Sequence, residues 1–249
     1  MASISESESK NKNRYTYLIP DKKFKKLVKK HIWDKRINKL NELDNPTIFH
    51  KNVVDPFRVL IDQKLQGITY QDWKEMELNR QLDKTISNAI GNFWQKFFGS
   101  IEGWDDLGQG TDSKGVDLYN EEKNIWIELK MKHNTANSGG QKNIKCVLKK
   151  IVDEDETATA VYSYIIPKNC KSENKEWTFA NHSRIKLISG KELFKLITDN
   201  EENIHKIYNA LGRCLDDIRK EEGLEEHKIH DMRSLPDFLT KCFGEIKID

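Results

Sequence analysis

Residues 115–130 read GVDLYNEEKNIWIELK, and this stretch decides the fold predicted for the chain. Apolar and polar side chains alternate on both sides of a polar cluster at residues 120–124, which is typical of two antiparallel strands joined by a turn. Pairing residue 119 with residue 124 places the apolar side chains of both strands on one buried face. That face would consist of Val116, Leu118, Ile125, Ile127, Leu129 and Met131. A slip of one residue would turn charged side chains into the core, so the pattern fixes the register.

The opposite face of this hairpin carries Asp117 from the first strand and Glu128 and Lys130 from the second. Asp117 and Glu128 are then diagonal cross-strand neighbours, close enough to bind one ion. Two carboxylates and a backbone carbonyl, here that of Leu129, suit Mg²⁺, which prefers oxygen ligands and retains several waters. Such an ion activates a water and stabilises charge on a phosphoryl oxygen, while Lys130 would orient the water or hold developing charge. The pattern predicts metal-dependent cleavage of DNA, and the alternative is an exposed hairpin with a weak Glu–Lys pair.

The composition suits a globular protein, because 33% of the 249 residues are charged and 37% are hydrophobic. The formal net charge is only +2, so the total charge does not indicate a nucleic-acid partner. Its distribution does: residues 1–44 carry twelve basic and six acidic side chains, and residues 128–150 carry six lysines and one acid. Clustered positive charge is typical of surfaces that bind phosphate, although most charge runs form a solvated helix face.

The four cysteines are widely separated and form no Cys-x-x-Cys pair, which argues against a zinc site. The chain has no apolar signal segment at its start and no long apolar run anywhere. We therefore expect a protein that is neither secreted through a standard signal nor membrane-spanning.

The spacing of apolar residues and the capping residues predict the remaining elements. Helices are predicted at residues 21–43, 55–67, 69–98, in a stretch ending near 152, from Ser189 onward, through 204–218 and at 234–244. Strands are predicted at residues 159–167, 176–180 and 185–188, the first of them parallel to the second hairpin strand through a helical crossover. This order predicts an α/β protein with a central mixed sheet flanked by helices. Residues 1–44 would form a disordered tail and a basic helical arm, leaving residues 45–249 as a single domain.

The residues that carry the predicted chemistry also resemble a known signature. Asp117 and Glu128-Leu129-Lys130 resemble the PD-(D/E)xK motif of type II restriction endonucleases, with Val116 in place of the proline, and the order of elements resembles the core of that nuclease fold. Over about residues 50–245 the chain resembles one restriction endonuclease family whose members cut GGNCC-type sites, including GGWCC. The segments that carry this second resemblance are Asp55-Pro56-Phe57, Arg80-Gln81-Leu82-Asp83-Lys84, Ile90-Gly91, Gly103-Trp104-Asp105-Asp106-Leu107-Gly108 and Lys130-Met131-Lys132-His133-Asn134-Thr135.

The resemblance implies a Mg²⁺-dependent homodimer that cuts both strands of a short G/C-rich palindrome in double-stranded DNA. Each subunit would hydrolyse one phosphodiester bond and leave a 5′-phosphate end, and a two-fold protein would read a two-fold site. It also implies a place in the prokaryotic cytoplasm beside a cognate DNA methyltransferase. Members often carry an acid on the helix before the hairpin, where this chain offers Asn88, Asn92 and Gln95, so a third site carboxylate stays open.

Candidate DNA contacts follow the second hairpin strand directly. They are Lys132, His133, Asn134 and Thr135, then Lys142 beyond Gly139-Gly140, and Arg184 in a polar segment after the third strand. Arg and Lys read guanine in the major groove and also bind phosphate, although each of these side chains alone could equally be a solvated loop residue.

Two other functions fit the same residues. The chain could be a repair or recombination nuclease of the same fold, or a DNA-binding protein that keeps the fold without catalysis. The intact Asp117, Glu128 and Lys130 favour an enzyme.

Overall fold

The computed structural model describes residues 14–43, 54–108 and 114–224. Its helices are α1 (Asp21–Val28), α2 (Asp34–Leu43), α3 (Pro56–Gln66), α4 (Tyr70–Phe98), α5 (Ser138–Glu154), α6 (Lys191–Thr198) and α7 (Asn203–Glu221), with a π-helical turn (Lys29–Trp33) between α1 and α2. Its strands are β1 (Asp105–Asp106), β2 (Leu118–Asn120), β3 (Ile125–Lys132), β4 (Thr159–Ile166), β5 (Glu173–Glu176) and β6 (Ile185–Ser189). The predicted tail and the predicted helix at residues 234–244 lie outside the described residues.

The chain divides into two compact units, residues 27–94 and residues 1–26 with 95–249. In the first unit, the Asp55 carboxylate accepts hydrogen bonds from the Phe57 and Arg58 N–H groups and so begins α3 as an N-cap. Gly67 ends that helix in the left-handed conformation, with φ of 65°. The helices predicted at residues 55–67 and 69–98 are confirmed, whereas the predicted division of the chain at residue 44 stays a prediction.

In the described residues of the second unit, six strands form one sheet with the order β1-β2-β3-β4-β6-β5. The β1, β2 and β3 strands pair antiparallel, β3, β4 and β6 pair parallel, and β5 is an antiparallel edge strand. Helix α5 forms the crossover between β3 and β4. The predicted α/β class, mixed sheet and crossover are confirmed.

The predicted register of the hairpin is wrong by two residues. Tyr119 pairs with Trp126 and not with residue 124. The turn lies one residue later than predicted, because Asn120 Oδ1 accepts from the Lys123 N–H at 2.8 Å and Asn124 adopts a left-handed φ of 47°. An offset of two keeps the alternation of faces within the strands.

Three further sequence predictions need correction. Residues 178–180 form a 3₁₀ turn, and the edge strand is Glu173–Glu176, earlier than the predicted strand at 176–180. Ser189 remains in β6, and α6 begins after Gly190, whose φ is 57°. Val116 precedes β2, so strand alternation does not apply to it, and it packs in the cluster beneath α5.

Side chains bury both faces of the central strands. On one face, Tyr162 and Leu187 pack against Leu148 and Ile151 of α5. On the other face, Ile127, Val161 and Ile165 are buried as well. Burial on both faces explains why β4 reads as an almost unbroken apolar run.

The beginning of the described chain belongs to the same unit as the sheet. The ring of Phe24 lies 5.6 Å from that of Tyr15 and 5.7 Å from that of Phe97. The Arg14 guanidinium pairs with Asp217 at 2.7 Å. Within the described residues, no helix is both long and apolar enough to cross a membrane.

Candidate active site

The hairpin brings the three predicted catalytic residues together. Asp117 lies immediately before β2, and Glu128 and Lys130 lie two residues apart in β3. The Asp117 N–H donates to the Ile127 carbonyl at 2.9 Å, which holds Asp117 beside the start of the Glu-Leu-Lys segment just outside the paired residues of β2. The Leu129 N–H donates a 2.8 Å hydrogen bond to Asp117 Oδ2. The backbone of the Glu-Leu-Lys segment therefore fixes the position of the Asp117 carboxylate.

Glu128 and Lys130 form an ion pair at the edge of a cavity. The Lys130 ammonium contacts Glu128 Oε1, and the two side chains are 26% and 12% exposed respectively. Both line a cavity of about 330 Å³. Its remaining walls are Thr135, Ala136, Asn137, Gly140, Asn143 and Ile144, from the loop after β3 and the first turns of α5. The pair is thus partly buried but open to an approaching group.

The two carboxyl groups share an environment that disfavours negative charge. Burial raises the pKa of Glu128 to about 7, with the charge of Asp117 acting in the same direction and Lys130 opposing it. Burial also raises the pKa of Asp117, against the Leu129 hydrogen bond and the charge of Lys130. A divalent cation between the two carboxylates would offset this cost.

The donor atoms suit a hard cation. In the described part of the chain, no three Asp, Glu, His or Cys side chains cluster as metal ligands. A cation would therefore depend on the carboxylates of Asp117 and Glu128, the Leu129 carbonyl and water. That combination fits Mg²⁺, which binds through one or two carboxylates and retains several waters.

Sequence reasoning missed Asp106, a third acid near this site. Asp106 lies on β1, beside the strand that follows Asp117. Burial is the largest cause of the raised pKa of Asp117, and the negative charge of Asp106 acts in the same direction. Its carboxylate is held by Gln95 Nε2 at 2.9 Å, by the Gly108 N–H at 3.0 Å and by an ion pair with Lys96. Asp106 lies so close to the end of α4 that residue 99 has to be a glycine. A Cβ at that position would lie 2.3 Å from the Asp106 Cβ.

The predicted DNA contacts after β3 lie beside the site. Lys132, Asn134 and Thr135 are exposed, and His133 is half-buried. Thr135 closes the loop, since its Oγ1 accepts from the Lys132 N–H at 3.2 Å and its own N–H donates to the Lys132 carbonyl at 3.1 Å. Lys142 is exposed early in α5. Lys132 ends β3, so the loop at residues 133–135 begins at the same end of that strand as Lys130, and Lys142 lies in the helix that follows the loop.

Arg184 is the exception among the predicted contacts. Its guanidinium donates to the carbonyls of Val152, Asp155 and Ala158 at 2.6, 2.6 and 3.1 Å. These acceptors lie at and just after the C-terminal end of α5, where helix carbonyls lack intrahelical partners. Arg184 also lies at the amino end of β6, away from the carboxyl ends of the parallel strands. We assign it a structural contact and leave it out of the proposed DNA interface.

The chain is similar to known restriction enzymes over most of its length. A family model described as Eco47II restriction endonuclease matches residues 16–220, so the similarity begins earlier than the predicted residue 50. The type II restriction enzyme Eco47II of Escherichia coli is 30% identical over 211 residues, covering 79% of this chain and 86% of the relative. The type II restriction enzyme Sau96I of Staphylococcus aureus is 29% identical over 183 residues, covering 68% of each. The chain therefore belongs to the Eco47II restriction endonuclease family, which confirms the prediction of a type II restriction endonuclease.

Proposed function

We propose that this protein hydrolyses phosphodiester bonds at a specific short sequence in double-stranded DNA. The observation that carries the proposal is the pair of partly buried carboxylates, Asp117 and Glu128, with Lys130 beside them at a cavity next to an exposed basic loop. Asp117, Glu128 and Lys130 would be the catalytic residues. The products would carry 5′-phosphate ends, as the resemblance to PD-(D/E)xK enzymes implies.

In this proposal Asp117, Glu128 and the Leu129 carbonyl would hold Mg²⁺, which would neutralise charge and lower the pKa of water. The hairpin backbone orients the Asp117 carboxylate through the Leu129 N–H. Lys130 orients the attacking water and stabilises negative charge on the phosphoryl oxygens as a compact cation. For this role its ammonium has to leave Glu128, which it contacts in the structure.

DNA would approach along the loop after β3. Lys132, His133, Asn134, Thr135 and Lys142 would contact phosphates or base edges near the cut bond. Exposed lysines supply salt-dependent affinity for the backbone, and the amide and hydroxyl side chains can hydrogen-bond to bases. The resemblance to GGNCC-cutting enzymes makes a short G/C-rich palindrome the proposed site.

We also propose that the enzyme acts as a homodimer that pairs through α3. Phe57 and Leu65 are 76% and 81% exposed, Leu60 and Ile61 are also exposed, and no residue of this helix is buried. Four such side chains form a patch on the order of several hundred Å², comparable with the roughly 800 Å² that each partner buries in a standard interface. A second copy would supply the second site needed to cut both strands. Sedimentation of the wild type and of Leu65→Glu tests this, with a monomeric wild type as the contradicting result.

Two proposals concern the cell rather than the molecule. A restriction enzyme needs a cognate DNA methyltransferase to protect the host genome, so we propose that one accompanies this protein in the prokaryotic cytoplasm. A methyltransferase that blocks cleavage of its own product DNA would support the pairing.

The catalytic proposal is tested by comparing Lys130→Ala with Lys195→Ala. Lys195 is an exposed lysine of α6, outside the cavity. Lys130→Ala should abolish cleavage of unmethylated DNA while leaving DNA binding measurable by gel shift, and Lys195→Ala should leave both unchanged. Undiminished cleavage by Lys130→Ala would remove Lys130 from the mechanism.

A further inference from the structure

Tyr162 of β4 carries a buried hydroxyl group beside the candidate active site. The residue is 2% exposed, and among the residues that the structure describes its hydroxyl oxygen contacts no donor or acceptor at hydrogen-bonding distance. Leaving a buried hydroxyl unpaired costs roughly 1–3 kcal/mol, so such a group in a well-packed core calls for an explanation.

The position of Tyr162 connects it with the active site. In the parallel pairing of β3 with β4, Tyr162 lies directly beside Glu128 and Tyr164 lies beside Lys130. The strands are pinned at this point, because Ser163 Oγ donates to the Glu128 carbonyl at 3.1 Å. Tyr162 and Glu128 therefore share one face of the sheet at a fixed register.

Packing restricts where the hydroxyl can turn. The Tyr162 ring lies 4.7 Å from the Trp177 ring and 5.8 Å from the Tyr164 ring, measured between centroids. Both neighbours are buried, as is Leu148 of α5 in the same cluster. This packing holds the ring in place. A hydrogen-bond partner for the hydroxyl therefore has to be a side chain that can move towards it.

The hydroxyl remains protonated and responds to the charge of Glu128. Burial, and after it the Glu128 carboxylate, raises the pKa of Tyr162. Tyr162 therefore offers an O–H donor to a nearby carboxylate at neutral pH.

We propose that Tyr162 is a positioning residue, whose hydroxyl donates a hydrogen bond to the Glu128 carboxylate when Lys130 releases that carboxylate to a divalent cation. The inference rests on the proposed function, in which Glu128 binds the cation and Lys130 serves the water and phosphate. In the structure the Lys130 ammonium contacts Glu128 Oε1, and the described residues provide no hydrogen-bond partner for the Tyr162 hydroxyl. In this proposal the Glu128 side chain rotates away from Lys130. Glu128 can then bind the cation and accept from the Tyr162 hydroxyl, while the Lys130 ammonium can contact the water and the phosphate.

The test uses Tyr162→Phe, which removes the donor and leaves the ring that packs on Trp177. Loss of a hydrogen bond to a metal-binding side chain typically lowers metal affinity or activity by about 10- to 100-fold. We expect the Mg²⁺ concentration for half-maximal cleavage to rise about 10-fold, while the rate at saturating Mg²⁺ changes less than about 3-fold. Mn²⁺ titrated calorimetrically into the full-length protein without DNA should show the same loss of affinity.

Tyr164→Phe is the matched control. Tyr164 lies on the same face of β4 two residues away, and its hydroxyl already donates to Glu173 Oε2 at 3.3 Å. This variant should keep the wild-type Mg²⁺ and Mn²⁺ dependence. A metal effect of equal size in both variants would assign the change to packing and overturn the proposal.

The outcomes separate this inference from the proposed function. If the wild type binds Mn²⁺ and cleaves DNA, and Tyr162→Phe does both with unchanged metal affinity, the role of Tyr162 is refuted and the proposed function stands. If the wild type neither binds Mn²⁺ nor cleaves DNA, the proposed function fails and the role of Tyr162 fails with it.

Discussion

Without divalent cations, the unfolding free energy of Glu128→Gln minus that of the wild type should increase as the pH rises. Burial, together with the neighbouring Asp117, raises the pKa of Glu128 from 4.5 to about 7 in the folded protein. The folded state therefore holds a proton more tightly than the unfolded state does. Between these two pKa values, the contribution of Glu128 to the stability of the wild type therefore falls as the pH increases.

The magnitude follows from the two pKa values. At about 1.4 kcal/mol per pH unit, a rise from 4.5 to about 7 corresponds to a loss on the order of 3 kcal/mol by pH 8. Glutamine carries no titrating group, so this part of the pH dependence disappears in the variant. The difference in unfolding free energy, variant minus wild type, should thus grow by about 1–3 kcal/mol from pH 4.5 to pH 8, or several °C in Tm.

The assay is urea unfolding of both proteins at several pH values from 4.5 to 8, without divalent cations, followed by tryptophan fluorescence. Adding Mg²⁺ at pH 8 should stabilise the wild type and leave Glu128→Gln nearly unchanged, since a ligand stabilises the state that binds it. Glu156→Gln, at an exposed glutamate, should show neither effect. A free-energy difference between Glu128→Gln and wild type that stays constant or shrinks as the pH rises would refute the reasoning.

Three structural predictions concern residues outside the catalytic pair. Arg184→Ala should lower the free energy of unfolding by roughly 3 kcal/mol, because charged hydrogen bonds to three carbonyls are lost. Urea unfolding should show this loss, and the affinity for DNA measured by gel shift should stay unchanged. Gly99→Ala should destabilise the protein by more than about 2 kcal/mol, because the added Cβ clashes with Asp106. Gly212→Ala in α7 is the control: a Cβ there meets no atom within 4 Å, so the change should stabilise the protein by up to about 1 kcal/mol. Equal Tm shifts of the two variants would contradict this prediction. Phe24→Ala should cost about 3–5 kcal/mol in the same unfolding assay, since the ring is fully buried against Tyr15 and Phe97, and a cost under about 1 kcal/mol would argue against that packing.

Local patterns in the sequence were sufficient for the core of the fold. Alternation of apolar residues over 116–118 and 125–131, around the polar cluster at 120–124, predicted the hairpin, and the apolar run at residues 159–167 predicted the parallel strand beside it. These signals depend only on neighbouring residues and on the two-residue period of a strand. They also brought Asp117, Glu128 and Lys130 together, because a register error of two residues preserves the face on which each side chain lies.

The remaining features depend on contacts between distant segments. Nothing near Arg184 in the sequence indicates that its acceptors are carbonyls about 30 residues earlier. The place of Asp106 depends on the close approach of β1 to Gly99. The packing of Phe24 on Phe97 likewise joins segments whose relation no periodicity reveals.

The central claim, that this chain is a metal-dependent site-specific endonuclease, is tested most directly by digesting unmethylated phage DNA with the purified protein. Parallel reactions contain Mg²⁺ or EDTA, and the products are separated on a gel and their ends sequenced. The account predicts discrete fragments with Mg²⁺ alone, with ends that share one short G/C-rich palindrome and carry 5′-phosphates. A smear of fragments, cleavage in EDTA, or intact DNA that the protein binds without cutting would contradict it.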